Sequence, residues 1–135
     1  MSFTLSARSR ARLIGVHPDL VRVVERAMTT TAIDFSVVEG VRTLKAQRRY
    51  FELGKSTTMR SRHLPSSNAC GLSCAVDLAP WIAGRIDWES PAGWGGIAVA
   101  MKSSAVALGI PITWGGDWAT FVDRPHWQLP WEAYP

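Results

Sequence analysis

Nowhere in these 135 residues does an apolar run approach the roughly 18 residues needed to cross a bilayer, so stable membrane insertion is not expected. The basic start from Met1 to Leu13 has no apolar core and no small-residue cleavage site. It does not read as a signal peptide, and synthesis and folding in a cytoplasm are expected. Only two cysteines occur, Cys70 and Cys74, too few for a disulfide framework. Histidine is scarce too, and His17, His63 and His126 are the whole supply of imidazole. With no repeats, low-complexity linker or composition break, one domain over residues 1–135 is expected.

What is present is a chain with 47% hydrophobic residues, enough for one modest core. Seven tryptophans suit either that core or the walls of a binding site. The net charge of +4 would suit a polyanion such as nucleic acid, lipopolysaccharide or an anionic cell wall. Its sources are Arg8, Arg10 and Arg12, then Arg42, Lys45, Arg48 and Arg49, then Lys55, Arg60 and Arg62. That spread reads as a solvated face, and no nucleic-acid signature accompanies it, so nucleic acid is not an expected partner.

Periodicity gives the elements. A short basic helix over Leu5–Leu13 ends at Gly15, and Pro18 opens a second helix with Leu20, Val23, Val24, Ala27 and Met28 on one face. Asp34–Glu39 alternates as a strand, and Thr43 caps a helix that runs to about Leu53. Residues 55–68 read as a polar loop. Ala75–Ala79 is a short apolar strand ended by Pro80, and it carries one acid, Asp77, that needs a cationic receiver if it points inward. Ser90-Pro91 opens a helix with Ile97, Met101, Ala105 and Leu108 inward and Gly109 as its C-cap. Ile110–Trp114 reads as a strand, Gly115-Gly116 as a tight turn, and His126–Leu129 as the last strand. Few short strands with short connections predict an α+β fold, a small antiparallel sheet with helices packed around it.

His17, just before Pro18, suits helix capping or exposure. His63, Asp77 and His126 each fall on or beside a strand of that sheet. Two imidazoles and one carboxylate, with a fourth position left for water, match a catalytic zinc site. Asp123 lies three residues before His126, and Pro125 stiffens the intervening turn by locking φ. In isolation such an aspartate, before Arg-Pro, suits a turn better than catalysis.

The runs Ser61-Arg62-His63, Ala75-Val76-Asp77-Leu78, Trp114-Gly115-Gly116-Asp117-Trp118 and Asp123-Arg124-Pro125-His126-Trp127-Gln128-Leu129 carry a resemblance. So do Gly15–Leu20, Glu39–Thr43, Gln47 and Gly54 upstream. Together they resemble the zinc peptidases that include D-alanyl-D-alanine carboxypeptidases and the phage endolysins that cut L-alanyl-D-glutamate bonds. The resemblance implies one zinc per chain at the sheet, held by His63, Asp77 and His126, with Asp123 as the catalytic carboxylate. It implies Arg42 and Ser61 on the substrate side or behind the ligands, and Trp114 and Trp118 near the cleft. Asp117 is expected as a turn or supporting residue, not a ligand.

The implied function is a zinc-dependent peptidoglycan peptidase acting as a monomer on the stem peptide at the L-alanyl-D-glutamate bond. D-alanyl-D-alanine carboxypeptidase and a non-catalytic, metal-containing wall-binding module are the alternatives. Made in the host cytoplasm, it would act on the wall in the periplasm. One departure stands out. The family pattern brings its ligand histidine and aspartate closer together, whereas His63 and Asp77 are fourteen apart, an insertion of about seven residues. Both cysteines fall in it, and a disulfide, two small buried side chains, or a replacement ligand all remain open for them.

Overall fold

The computed structural model describes residues 3–56 and 58–135. Four α-helices are present among them: α1 (Ala7–Arg12), α2 (Pro18–Thr30), α3 (Leu44–Glu52) and α4 (Pro91–Leu108). Five strands form one antiparallel sheet: β1 (Phe35–Glu39), β2 (Ala75–Ile82), β3 (Arg85–Ile86), β4 (Thr113–Trp114) and β5 (His126–Gln128). The order across the sheet is β1-β2-β5-β4, with β3 pairing only the end of β2. This is the expected α+β architecture.

The helices start where side chains can satisfy their first amides. Ser6 accepts from Ser9 N–H, Thr43 from Ala46 N–H, and Ser90 from Gly93 N–H. His17 is likewise an N-cap, its Nδ1 accepting from Asp19 N–H at 3.1 Å, which accounts for this histidine without chemistry. Leu20, Val23, Val24, Ala27 and Met28 of α2 are all buried, as their spacing predicts. α2 packs on α4, and α4 lies on β2. Gly93 permits that approach, since a Cβ there would stand 2.7 Å from the Pro80 ring. The core beneath includes Phe35, Val37, Val76, Leu78, Ile97, Met101, Trp127 and Leu129.

The three largest departures from the expected boundaries lie in β2, β4 and the turn after it. β2 does not stop at Pro80 but runs to Ile82. Pro80 lies past the last β2–β5 pair, Asp77 with His126, so its missing N–H interrupts no ladder there. The strand expected over Ile110–Trp114 shrinks to Thr113–Trp114. Ile110 N–H is bound to Ala105 O at the end of α4, and Pro111 has no donor to give. Gly115–Asp117 forms one turn of 3-10 helix instead of a two-residue turn.

Among its described residues, the stretch expected as a polar loop has one turn of 3-10 helix, Pro65–Ser67, and its end is inside the protein. Ser61, Arg62, His63, Leu64 and Asn68 are buried. Arg62, counted by its charge with the solvated cations, is a structural strut. Its guanidinium donates to Leu129 O at 2.9 Å, Tyr134 O at 2.6 Å and Asn68 Oδ1 at 2.6 Å, and lies 3.9 Å from the Trp131 ring centre. Asn68 Nδ2 donates in turn to the carbonyls of Arg62, Leu64 and Leu72. At the far end of the loop, Cys74 N–H returns to Arg62 O at 2.8 Å.

Candidate metal centre and active site

Strand register assembles the centre. Asp77 on β2 stands opposite Glu39 on β1 and opposite His126 on β5, so one row across the sheet holds all three side chains. His63 reaches the same point from the loop, where its carbonyl accepts Arg42 N–H at 3.0 Å and its own N–H bonds Ser61 Oγ at 3.2 Å. Ser61 thereby shapes the turn that carries His63 while also lining the cleft.

His63 Nε2 lies 3.1 Å from Asp77 Oδ1, and His126 Nδ1 lies 3.4 Å from the same oxygen. One ligand atom from each of the three residues falls within 4.8 Å of the others, close enough to share a metal ion. The remaining ring nitrogens are engaged behind them. His63 Nδ1 is 2.8 Å from Gly40 O, which has no proton to give, so that nitrogen donates and Nε2 faces the centre with a free lone pair. His126 Nε2 is 2.8 Å from Gln128 Oε1, which leaves Nδ1 as the inward lone pair. Backing of this kind is what orients ligand histidines. Both tautomers and the single carboxylate therefore fit a borderline cation such as zinc. Cys70 and Cys74 stand outside this group.

Burial pushes the Asp77 carboxyl up, but when the two imidazoles are protonated the His63 charge and the hydrogen bonds of both rings reverse this and hold it well below the usual carboxylate range. Asp77 thus stays ionised, as a ligand must. Burial tends to push His126 down, and the Asp77 carboxylate more than offsets it, so His126 titrates higher than usual. Asp123 moves the other way from Asp77. Burial and the neighbouring Asp77 charge push it above the usual carboxylate range against the pull of His126, His63 and Arg42. Two carboxyls whose environments drive them apart suit different roles.

The centre opens on a cleft of about 840 Å³ whose walls include Glu39, Arg42, Tyr50, Ser61, Trp118, Phe121, Asp123, Gln128 and Trp131. Arg42 donates through Nε to Glu39 Oε1 at 2.8 Å and through Nη1 to Gln47 Oε1 at 2.8 Å, and its Nη2 bonds Glu39 as well. So held, Nη2 sits 3.9 Å from Asp77 Oδ2 and supplies a cationic neighbour to the inward acid. The Trp118 ring lies 5.2 Å from that of His126, on the cleft wall.

Trp114 does not join Trp118 there. It pairs across β4–β5 with Trp127, stacks on that ring at 5.3 Å and donates Nε1–H to Arg124 O at 2.8 Å. Those contacts hold it behind the Asp123 turn, away from the cleft. Asp117 is exposed and bonds Lys102 Nζ at 2.8 Å, on the surface. Gly115 has to be a glycine, because a Cβ there would stand 2.3 Å from Asp123 O and 3.1 Å from His126 Cβ.

Sequence reasoning did not assign roles to Gln128, Gly40 or Glu39, or to Phe121 and Trp131 in the wall. Gln128 had a usable signal, since residues two apart on a strand share a face and His126 was already suspected as a ligand.

Comparison with known proteins agrees with this geometry. The family described as phage L-alanyl-D-glutamate peptidase matches residues 1–126. The L-alanyl-D-glutamate peptidase of Escherichia phage T5 is 31% identical over 121 residues, 87% of this chain and 83% of that protein. The enzyme of the same name from Listeria phage A118 is 31% identical over 105 residues, 78% of this chain but only 34% of that longer protein. The crystal structure of the Serratia marcescens L-Ala D-Glu endopeptidase ChiX superposes with a TM-score of 0.87 at 40% identity, covering 98% of this chain and 93% of that one. With a matched span that takes in His63, Asp77, Asp123 and His126, the chain belongs to the phage L-alanyl-D-glutamate peptidase family.

Proposed function

We propose that this chain hydrolyses the L-alanyl-D-glutamate amide of the peptidoglycan stem peptide with one zinc ion held by His63 Nε2, an Asp77 carboxylate oxygen and His126 Nδ1. The observation that carries the reading is the convergence of three ligand atoms within 4.8 Å on the wall of an open cleft that Asp123 also lines. Zinc, when bound, polarises a scissile carbonyl and lowers the pKa of water to about 7.

The chain's own groups supply the rest. Asp123, with its raised pKa, takes the proton of the attacking water at its carboxylate and delivers one to the leaving amine. Its tether to Gly115, by Asp123 N–H to Gly115 O at 3.0 Å, keeps it at the cleft without entering the ligand set. Arg42, fixed by Glu39 and Gln47, offers positive charge to substrate oxygens, Ser61 supports the His63 turn, and Trp118 forms a wall for the peptide. Trp114 serves indirectly, by backing Trp127 and the Asp123 turn.

The 135 residues act as one peptidase domain and as a monomer, made in the host cytoplasm and working on the wall in the periplasm. Among the described residues no helix is long and apolar enough to cross a membrane.

Digestion of purified wall tests the reading, with new termini identified by mass spectrometry and metal content measured for each protein. Wild type should expose new D-glutamate amino termini. His126→Ala should lose metal and activity together, and Asp123→Ala should keep metal and lose activity. Free D-alanine as the sole product would overturn the bond assignment in favour of a D,D-carboxypeptidase. A metal-loaded wild type that binds wall and releases no amines would make the protein a binding module, and full activity in Asp123→Ala would remove the proton-transfer role.

A further inference from the structure

The segment between His63 and Asp77 carries two thiols that hydrolysis does not use. Cys70 Sγ and Cys74 Sγ stand 3.9 Å apart. Both point to one acceptor, the Leu72 carbonyl, at 3.8 and 4.0 Å. The chain turns back between them through Gly71 at φ +73°, a conformation a side chain would strain. Cys70 is exposed and Cys74 buried. A bonded pair needs the sulfurs at about 2 Å, so oxidation has to draw these two together by roughly 2 Å more. The Arg62 guanidinium is near enough for its charge to act on Cys74.

We propose that Cys70 and Cys74 form a redox-active dithiol, oxidised to an intramolecular disulfide by a small disulfide donor of the glutathione disulfide class. Exposed Cys70 reacts first: its thiolate attacks one sulfur of the donor, forms a mixed disulfide and releases one donor thiol. Cys74 then attacks the Cys70 sulfur and releases the second. Two protein thiols lose two electrons, the donor disulfide gains them, and the two thiol protons end on the two donor thiols. Burial pushes the Cys74 thiol up to about 11 despite Arg62, which suits it to the second, intramolecular step and not the first.

The cross-link would fasten more than its own loop. Cys74 N–H donates to Arg62 O, next to His63, and Cys74 O accepts Leu129 N–H, three residues beyond His126. A bond at Cys74 therefore braces the backbone beside two of the three ligands, in a step that does not depend on which wall bond is cut.

The test uses the full zinc-loaded chain, incubated with glutathione disulfide, quenched with acid, denatured and alkylated. The expected product is a monomer lighter by two hydrogens, with neither cysteine alkylated, the loss mapping to the tryptic peptide His63–Arg85 and reversing with reductant. Its melting temperature should rise by about 5 °C, as expected for closing a short loop. Cys70→Ser, altered at an exposed side chain, should digest wall like wild type and show neither the mass loss nor the thermal gain. A stable glutathione adduct on Cys70, a disulfide-linked dimer, or two cysteines that remain fully alkylatable would each overturn the proposal.

Discussion

Substituting one methyl group for a hydrogen at Gly115 should damage the active site more than the fold. The added carbon in Gly115→Ala would lie 2.3 Å from Asp123 O, 3.0 Å from Asp123 Cβ and 3.1 Å from His126 Cβ. An ordinary carbon–oxygen contact needs about 3.3 Å, so the Asp123–His126 segment must retreat by roughly 1 Å. Over-packing of that size costs about 1–3 kcal/mol of stability, which the chain should survive. Catalysis tolerates it less, because a displacement of roughly 1 Å in a positioned group costs on the order of 100-fold in rate. Thermal unfolding and kcat/KM on purified wall peptide, measured on the same preparation, read both quantities. Wild-type kcat/KM in a folded Gly115→Ala protein would refute the claim that this glycine sets the position of Asp123.

Gly95→Ala is the matching control: the site on α4 is exposed, nothing lies within 4 Å of the new carbon, and a gain of about 1 kcal/mol in unfolding free energy is expected with unchanged activity. Gln128→Leu removes the partner of His126 Nε2 and should weaken zinc binding by about 10–100-fold in chelator competition, whereas an unchanged affinity would mean that the 2.8 Å contact does not orient the ring. Arg62→Ala strands the buried carbonyl of Leu129, removes the partner of the part-buried Tyr134 carbonyl and should cost about 3 kcal/mol in denaturant unfolding. In reduced native protein, iodoacetamide should label Cys70 and spare Cys74 at pH 8, because the Cys74 thiolate forms only as pH approaches about 11; equal labelling would contradict its burial.

What the sequence made legible was what repeats locally or is rare. The inward face of α2 was readable because five apolar side chains recur at helical spacing. The metal group was readable because the histidines are so few and Asp77 interrupts an otherwise apolar strand. The rest depends on contacts between distant positions. Arg62 sits among cations that look solvated, and the carbonyls that bury it are 67 and 72 residues away. Trp114 and Trp118 occupy one short motif, and only the β4–β5 pairing reveals that the first turns behind the Asp123 turn while the second lines the cleft. β3 is two residues long, and its existence follows from the hairpin geometry at the end of β2 more than from any pattern of its own.

The bond from Cys74 N–H to Arg62 O has a wider meaning. It closes the fourteen-residue interval on itself at the neck, so the chain departs beside His63 and comes back to nearly the same place before it enters β2 and reaches Asp77. Residues 64–73 are then a detour, and their number is uncoupled from the distance between the two ligands. A longer or shorter excursion can be spliced in beyond that neck while the separation of His63 from Asp77 stays as it was.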